Sequence, residues 1–347
     1  MSRNPLIEEL LLENGAIKVR FANRESLAGG PPSADLTYQI EGARSAVSFA
    51  LPLYRDRTRR YLAKEEYHEE QIDVSIQSSK LSKACAQLIE KEGYASAMVH
   101  GNNKFRNELI GRKLNLLPDI SHRYVAVASG LGSFGWSGNV GIKGYGTAII
   151  LGTVVTTADL APTDPIPEAE SFCDQCKICV SSCVANMFSK TETDSVTLGG
   201  WTFTYARRID LNRCNLVCPG LTGLSKDGKW STWSAGRLHI PEKPEKTFEL
   251  LVKAFAQSYK RPALPGEGGF TPSTGGNMNI RLTCGNCSYI CFGDRDETRE
   301  NYRLLKSSGC VIQLENGEKR VLPPQEADEE FEKMNPAHKR LYTEAGL

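Results

Sequence analysis

Four cysteines fall as Cys173-Asp-Gln-Cys176-Lys-Ile-Cys179-Val-Ser-Ser-Cys183, and three more as Cys284-Gly-Asn-Cys287-Ser-Tyr-Ile-Cys291. The first run has the C-x2-C-x2-C-x3-C spacing in which three thiolates wrap one iron–sulfur cubane and the fourth reaches a second. Two-residue spacers let consecutive thiolates converge on one centre. They also leave backbone N–H groups free to point at the sulfurs and tune the potential. Zinc is the first rival, because C-x2-C pairs also build tetrahedral structural sites. A closed zinc site takes four ligands, however, whereas the two motifs supply seven thiolates and Cys214 or Cys218 supplies an eighth. Eight thiolates match two [4Fe-4S] clusters.

Disulfides are the second rival. Residues 1–14 read as a charged amphipathic helix begun at Pro5 rather than a secretory segment, so the thiols are expected to be reduced and the protein cytoplasmic. At 347 residues with 40% hydrophobic content the chain has room for about two cores. A net charge of +1 gives no sign of nucleic-acid or anionic-membrane affinity, and no run approaches a membrane span. The pairs Arg59-Arg60 and Arg207-Arg208 lie too deep to serve as a twin-arginine export signal.

Elements that could position these thiols are legible upstream. Residues 46–51 form an apolar run ended by Pro52, and residues 94–99 and 147–156 read as further strands. A helix over 72–92 carries Ile72, Ile76, Leu81, Cys85, Leu88 and Ile89 on roughly one face, which makes Cys85 a core residue. The pattern predicts an α/β (α+β) domain over 1–165 and a double-cluster ferredoxin-like domain over 166–310, built of short cysteine-bearing turns. A hairpin marked by Asn316-Gly317 and a charged tail occupy 311–347. Within the second domain a short helix over 248–259 precedes a Pro- and Gly-rich loop over 262–276. Cys310 lies beyond both motifs and reads as structural.

Gly130-Leu-Gly132-Ser-Phe-Gly135 satisfies the dinucleotide fingerprint G-x-G-x-x-G in letters only. That site needs a helix after the third glycine and an acidic residue about 20 positions on. Here Trp136-Ser-Gly138-Asn-Val-Gly141 follows, and no Asp or Glu stands between Asp119 and Asp159. A loop so rich in glycine suits either a flat, amide-fringed ligand approached closely by backbone or a turn-rich connection with no ligand.

The segment Ser129-Gly-Leu-Gly-Ser-Phe-Gly-Trp-Ser-Gly-Asn139, a strand ending Leu151-Gly152-Thr153-Val154-Val155-Thr156, and the two cysteine motifs after it resemble the cobalamin-dependent epoxyqueuosine reductases and reductive dehalogenases. The resemblance runs from about Ala46 to Cys291. It implies a corrinoid-binding domain against a ferredoxin-like domain, with Gly130, Gly132, Ser133, Gly135, Trp136, Ser137, Gly138 and Asn139 at the corrinoid. Cys173, Cys176, Cys179 and Cys291 would hold one cluster. Cys183, Cys284, Cys287 and an intermediate cysteine would hold the other; Cys214, which follows a basic stretch, is favoured over Cys218. None of the five histidines has Asp two residues before it, so cobalamin is expected base-off.

The chain departs from that family's pattern in several places. Val184 and Phe292 stand where the family places proline after a cysteine, and Leu116 stands where the epoxyqueuosine reductases carry a catalytic Asp, with Asp119 three residues off. Only 56 residues follow Cys291, with acids outnumbering bases beyond Val311, so transfer RNA is not the expected substrate. Ser121-His122-Arg123 lies near the missing acid. His122 could donate a proton and Arg123 hold an anionic substrate group; alternatively both cap or cross-link the helix entering the loop. Tyr124 and Tyr145 are reserve donors, and His68, His100, His239 and His338 have no motif around them. The expected activity is a reduction, of elimination or dehalogenation type, on a small molecule, fed by a low-potential donor such as ferredoxin or flavodoxin. The alternative is an electron-transfer protein that reduces a partner.

Overall fold

The computed structural model describes residues 4–67, 70–101, 104–109, 117–257 and 283–344. His68, Leu116 and the 262–276 loop lie outside them.

Helix α1 (Asn4–Glu13) leads into strand β1 (Lys18–Asn23), and β2 (Ser45–Pro52) is followed by α2 (Arg55–Leu62), α3 (Glu70–Lys91) and β3 (Ser96–Met98). Next come α4 (His122–Ala128), the short β4 (Ser133–Phe134) and β5 (Val140–Gly141), and β6 (Ile149–Thr156). Strands β1, β2, β6 and β3 form one sheet in that order, and every pairing is antiparallel. The expectation of a mixed domain therefore resolves as α+β rather than parallel α/β.

Strand β2 lies between two neighbours and is buried almost end to end. Its residues Val47, Phe49 and Leu51 share a core with Ile7 and Leu11 of α1 and with Val74, Leu81, Cys85 and Ile89 of α3. Ala46 and Ala50, of opposite parity, share a second core with Val125 to Ala128 of α4 and with Leu131 and Val140 of the glycine-rich segment. Both faces are thus covered, which is why the strand reads as an apolar run interrupted only by Ser48 between Ala46 and Leu51. A helix, not a strand, precedes the first glycines, and this removes the dinucleotide-fold reading.

After the sheet come α5 (Ile178–Ser181), β7 (Phe188–Leu198), β8 (Trp201–Arg208), α6 (Leu211–Val217), α7 (Pro244–Gln257), α8 (Asn286–Tyr289) and α9 (Arg295–Ser307). The chain closes with β9 (Cys310–Gln313), β10 (Lys319–Leu322), α10 (Pro324–Lys333) and α11 (Pro336–Thr343). Strands β9 and β10 form the hairpin signalled by Asn316-Gly317. The β7/β8 hairpin corrects the expectation of short turns throughout this region. Gly199 and Gly200, both at positive φ (+56° and +84°), make the two-residue turn that the strand twist favours.

The main buried core is continuous across residue 165. It runs from α1 and α3 to Val180, Val184, Phe188, Ile290 and Phe292, and so reaches the cysteine-bearing turns.

Gly152 faces Phe49 across the β2/β6 pair, and a Cβ there would stand 2.2 Å from the Phe49 ring. Gly152→Ala is therefore expected to overpack this layer at about 1–3 kcal/mol. A thermal melt followed by circular dichroism should drop by roughly 1–4 °C.

Candidate functional site

The turn before α5 coils tightly because Gln175 and Lys177 take left-handed backbone (φ +58° and +60°), as does Asn186 after it (φ +49°). Each such residue costs about 1 kcal/mol. The cysteines of this turn gather round a cavity of about 250 Å³ lined by Cys173, Cys176, Cys179, Cys287 and Cys291. Water's share of liquid volume is only about 30 Å³, so the space suits a multi-atom group. Four of the five are the set that the family resemblance implied for one cluster.

Cys183, Cys214, Cys284 and Cys287 lie within electrostatic reach of one another on the adjoining side. Burial pushes the Cys179 and Cys183 thiols up to about 12, and neighbouring sulfurs push them the same way. Burial also raises Cys284, Cys287, Cys291 and Cys176. Cys214 alone is lowered, first by a hydrogen bond with Cys218 at 3.4 Å and then, against burial, by the Arg208 charge. Cys218 is raised by the same contact and by burial. Among the described residues no three His, Cys, Asp or Glu side chains converge as the ligands of a single ion do; the thiols ring a space instead.

The glycine-rich segment lies against this sulfur. Trp136 N–H donates to Cys173 Sγ at 3.4 Å, and Asn139 Nδ2 donates to Cys287 Sγ at 3.4 Å and to Ser288 Oγ at 3.2 Å. Lys177 Nζ sits 4.1 Å from the Trp136 ring centre. These contacts place the segment where N–H groups tune a cluster.

The reason for the glycines differs from the one expected. A Cβ at Gly130 would meet the Asp164 carbonyl oxygen at 2.0 Å, one at Gly132 the Gly141 carbonyl oxygen at 2.5 Å, and one at Gly135 the Phe172 ring at 2.9 Å. The space that an added side chain would need at these residues is taken by protein, which accounts for the glycines by close packing. Ser133, Trp136 and Asn139 are half-buried, whereas Ser137 and Gly138 are buried.

His122 and Arg123 begin α4, which Ser121 caps by accepting the Tyr124 N–H. His122 Nδ1 bonds Thr153 Oγ1 at 2.8 Å, Nε2 is buried, and the His100 backbone interacts with the ring. Burial lowers its pKa to about 4, so at neutral pH the ring is uncharged and a poor acid. Asp119 behaves oppositely: it is 3% exposed, and burial raises its carboxyl above the usual range despite the Ile120 N–H and the charges of Lys104 and His100. Sequence reasoning had passed over Asp119 for an offset of three residues. Cys85 and Cys310 are buried away from the cavity, and Tyr145 is 38% exposed.

Solved structures similar to this chain are reductases. A catabolic reductive dehalogenase is 18% identical over 61% of this chain and 29% of its own, with a TM-score of 0.45. Epoxyqueuosine reductase from Streptococcus thermophilus is 15% identical over 58% of this chain and 56% of its own, with a TM-score of 0.38. These are the two groups that the motifs resemble. The chain spans under a third of the dehalogenase and just over half of the reductase. No family model and no curated protein matches it. Among the described residues no helix is long and apolar enough to cross a membrane.

Asn139→Leu removes one donor to Cys287 while leaving every thiol in place. It should lower the midpoint potential of the loaded protein by tens of millivolts without changing its iron content, as read by anaerobic redox titration.

The buried His122 gives a second expectation. Its folded pKa lies below the unfolded value, so the unfolded chain binds more protons between about pH 4 and 6.5, and stability falls as pH drops through that window. The loss should approach about 3 kcal/mol and be absent in His122→Gln, measured by denaturant unfolding at pH 7 and pH 4.5.

Proposed function

We propose that this chain is an iron–sulfur oxidoreductase. In this reading it holds two [4Fe-4S] clusters and passes electrons from a low-potential donor to a reduction, of elimination or dehalogenation type, on a small molecule. The observation that carries the reading is the gathering of thiols from two distant motifs about one cavity and its neighbouring group. Cys173, Cys176, Cys179 and Cys291 would hold one cluster, and Cys183, Cys214, Cys284 and Cys287 the other. Cys218 would hydrogen-bond with the Cys214 sulfur. Clusters so held supply one-electron steps at potentials set by burial and by hydrogen bonds to sulfur.

Base-off cobalamin, implied by the sequence resemblance, would supply the reductive step at the substrate when bound. The Cβ positions of Gly130, Gly132 and Gly135 are filled by protein. A ligand at this segment would meet its half-buried outer side at Ser133 and Phe134. For the proton, Asp119 replaces His122 as the candidate donor, because its carboxyl keeps its proton to higher pH. The tight seating of the glycine-rich segment on the thiols favours a second reading, an electron-transfer protein that reduces a partner.

Anaerobic reconstitution tests the first reading. About eight irons and eight sulfides per chain are expected, with cobalamin retained on gel filtration and a base-off spectrum. Cys214→Ser should lose about four irons, whereas Cys218→Ser keeps them. Four irons in the wild type, or stoichiometric zinc, overturns the two-cluster reading. Eight irons with no cobalamin retained leaves the electron-transfer reading in its place. Gly135→Val should lose iron as well as any corrinoid, because its side chain would press on Phe172, which lines the cavity with the thiols.

A further inference from the structure

Two arginines from distant elements meet beside the glycine-rich segment. Arg123, on the first turn of α4, donates through Nη1 to the Gly138 carbonyl at 3.0 Å. Arg208, at the end of β8, brings Nη2 to 3.2 Å from where a Cβ on Gly138 would stand, and the Tyr205 ring comes to 3.3 Å of the same point. A side chain at Gly138 would therefore press on both Arg208 and Tyr205.

Among the described residues, neither guanidinium forms an ion pair with a carboxylate. Arg208 Nε is buried without a hydrogen-bond partner. Burial and the Arg208 charge both act against the Arg123 cation, and the groups that favour it are Tyr124, Tyr205 and the Cys287 thiol. Two like charges brought together in half-buried surroundings repel unless an anion lies between them.

The surroundings also bear on the ligand's body. Phe134 packs on Phe203 at 6.3 Å and on Tyr205 at 5.1 Å between ring centres, and the Arg208 guanidinium lies 6.0 Å from the Tyr205 ring centre. These three rings, Tyr124 and both arginines are half-buried. Forked donors match the geometry of a carboxylate or phosphate, and the aromatic wall suits an apolar body behind it.

We propose that Arg123 and Arg208 form an oxyanion-binding site, taking a carboxylate or phosphate carried on an apolar or aromatic body. It rests on the reductase reading only for the origin of that anion, which is either the substrate's carboxylate or the phosphodiester of the corrinoid.

Calorimetric titration of the anaerobically reconstituted protein tests the site with benzoate, cobalamin and cobinamide, which lacks the phosphodiester. Benzoate or cobalamin should bind the wild type, and Arg208→Gln and Arg123→Gln should each weaken that binding by about tenfold or more, with Arg208→Lys recovering part of it. Weakened benzoate binding assigns the site to substrate. Weakened cobalamin binding with cobinamide unchanged assigns it to the cofactor. If Arg208→Gln does not load iron, Arg123→Gln decides in its place. Wild-type protein that binds neither benzoate nor cobalamin, or variants that bind both as the wild type does, overturns the proposal. Iron content read on the same samples separates that failure from a failure of the reductase reading.

Discussion

The seating of the glycine-rich segment on the cysteine-bearing turns holds the two halves of the molecule in register. Backbone atoms of Cys291, Phe292 and Gly293 occupy the place where a side chain on Gly146 would stand, at 2.3–2.6 Å. Thr147 N–H donates to the Cys291 carbonyl at 3.0 Å, and Thr147 Oγ1 donates to the Ser288 carbonyl at 2.7 Å. Strand β6 begins two residues later, so the sheet and the thiol cavity cannot shift independently. Arg55 and Arg59 of α2 reinforce the joint by pairing with Glu297 of α9, with their guanidiniums over the Phe292 ring. Phe292, which stands where the related proteins place a proline, serves here as the packing surface for that clamp.

The cavity's chemistry follows from burying sulfur without a counter-charge. Every thiol around it whose pKa moves is pushed upward, chiefly by desolvation. These thiols hold their protons at neutral pH. A metal centre that took the place of those protons would release them on loading and would add its binding free energy to the stability of the surrounding turns. On the adjoining side the Arg208 charge helps lower Cys214 and opposes the burial that raises Cys287.

Periodicity and spacing made much of this legible. Strand β2, helix α3 and the β9/β10 hairpin appear where alternation, a one-sided apolar face and Asn316-Gly317 put them. The gathering of Cys173, Cys176, Cys179 and Cys291 was legible only through the family resemblance, because spacing alone does not say which distant cysteine completes a set. The β7/β8 hairpin escaped notice although Gly199-Gly200 lies between alternating arms; the cysteines on either side drew the whole region into one class. The glycines were recognised as places of close approach, but the approaching partner is protein, and one-dimensional pattern holds no information on that choice. Nor does sequence reveal that burial leaves the His122 ring neutral while raising the Asp119 carboxyl, since both effects depend on enclosure by remote segments.

The walls of the thiol cavity come from widely separated parts of the chain. Cys173, Cys176 and Cys179 leave the ribosome long before Cys287 and Cys291, and the glycine-rich segment precedes them all. The four strands of the sheet, by contrast, have all emerged once Thr156 has, although the core on one face is finished only by Ile290 and Phe292. The turn that carries Cys287 and Cys291 thus closes the thiol cavity and one face of the sheet's core together.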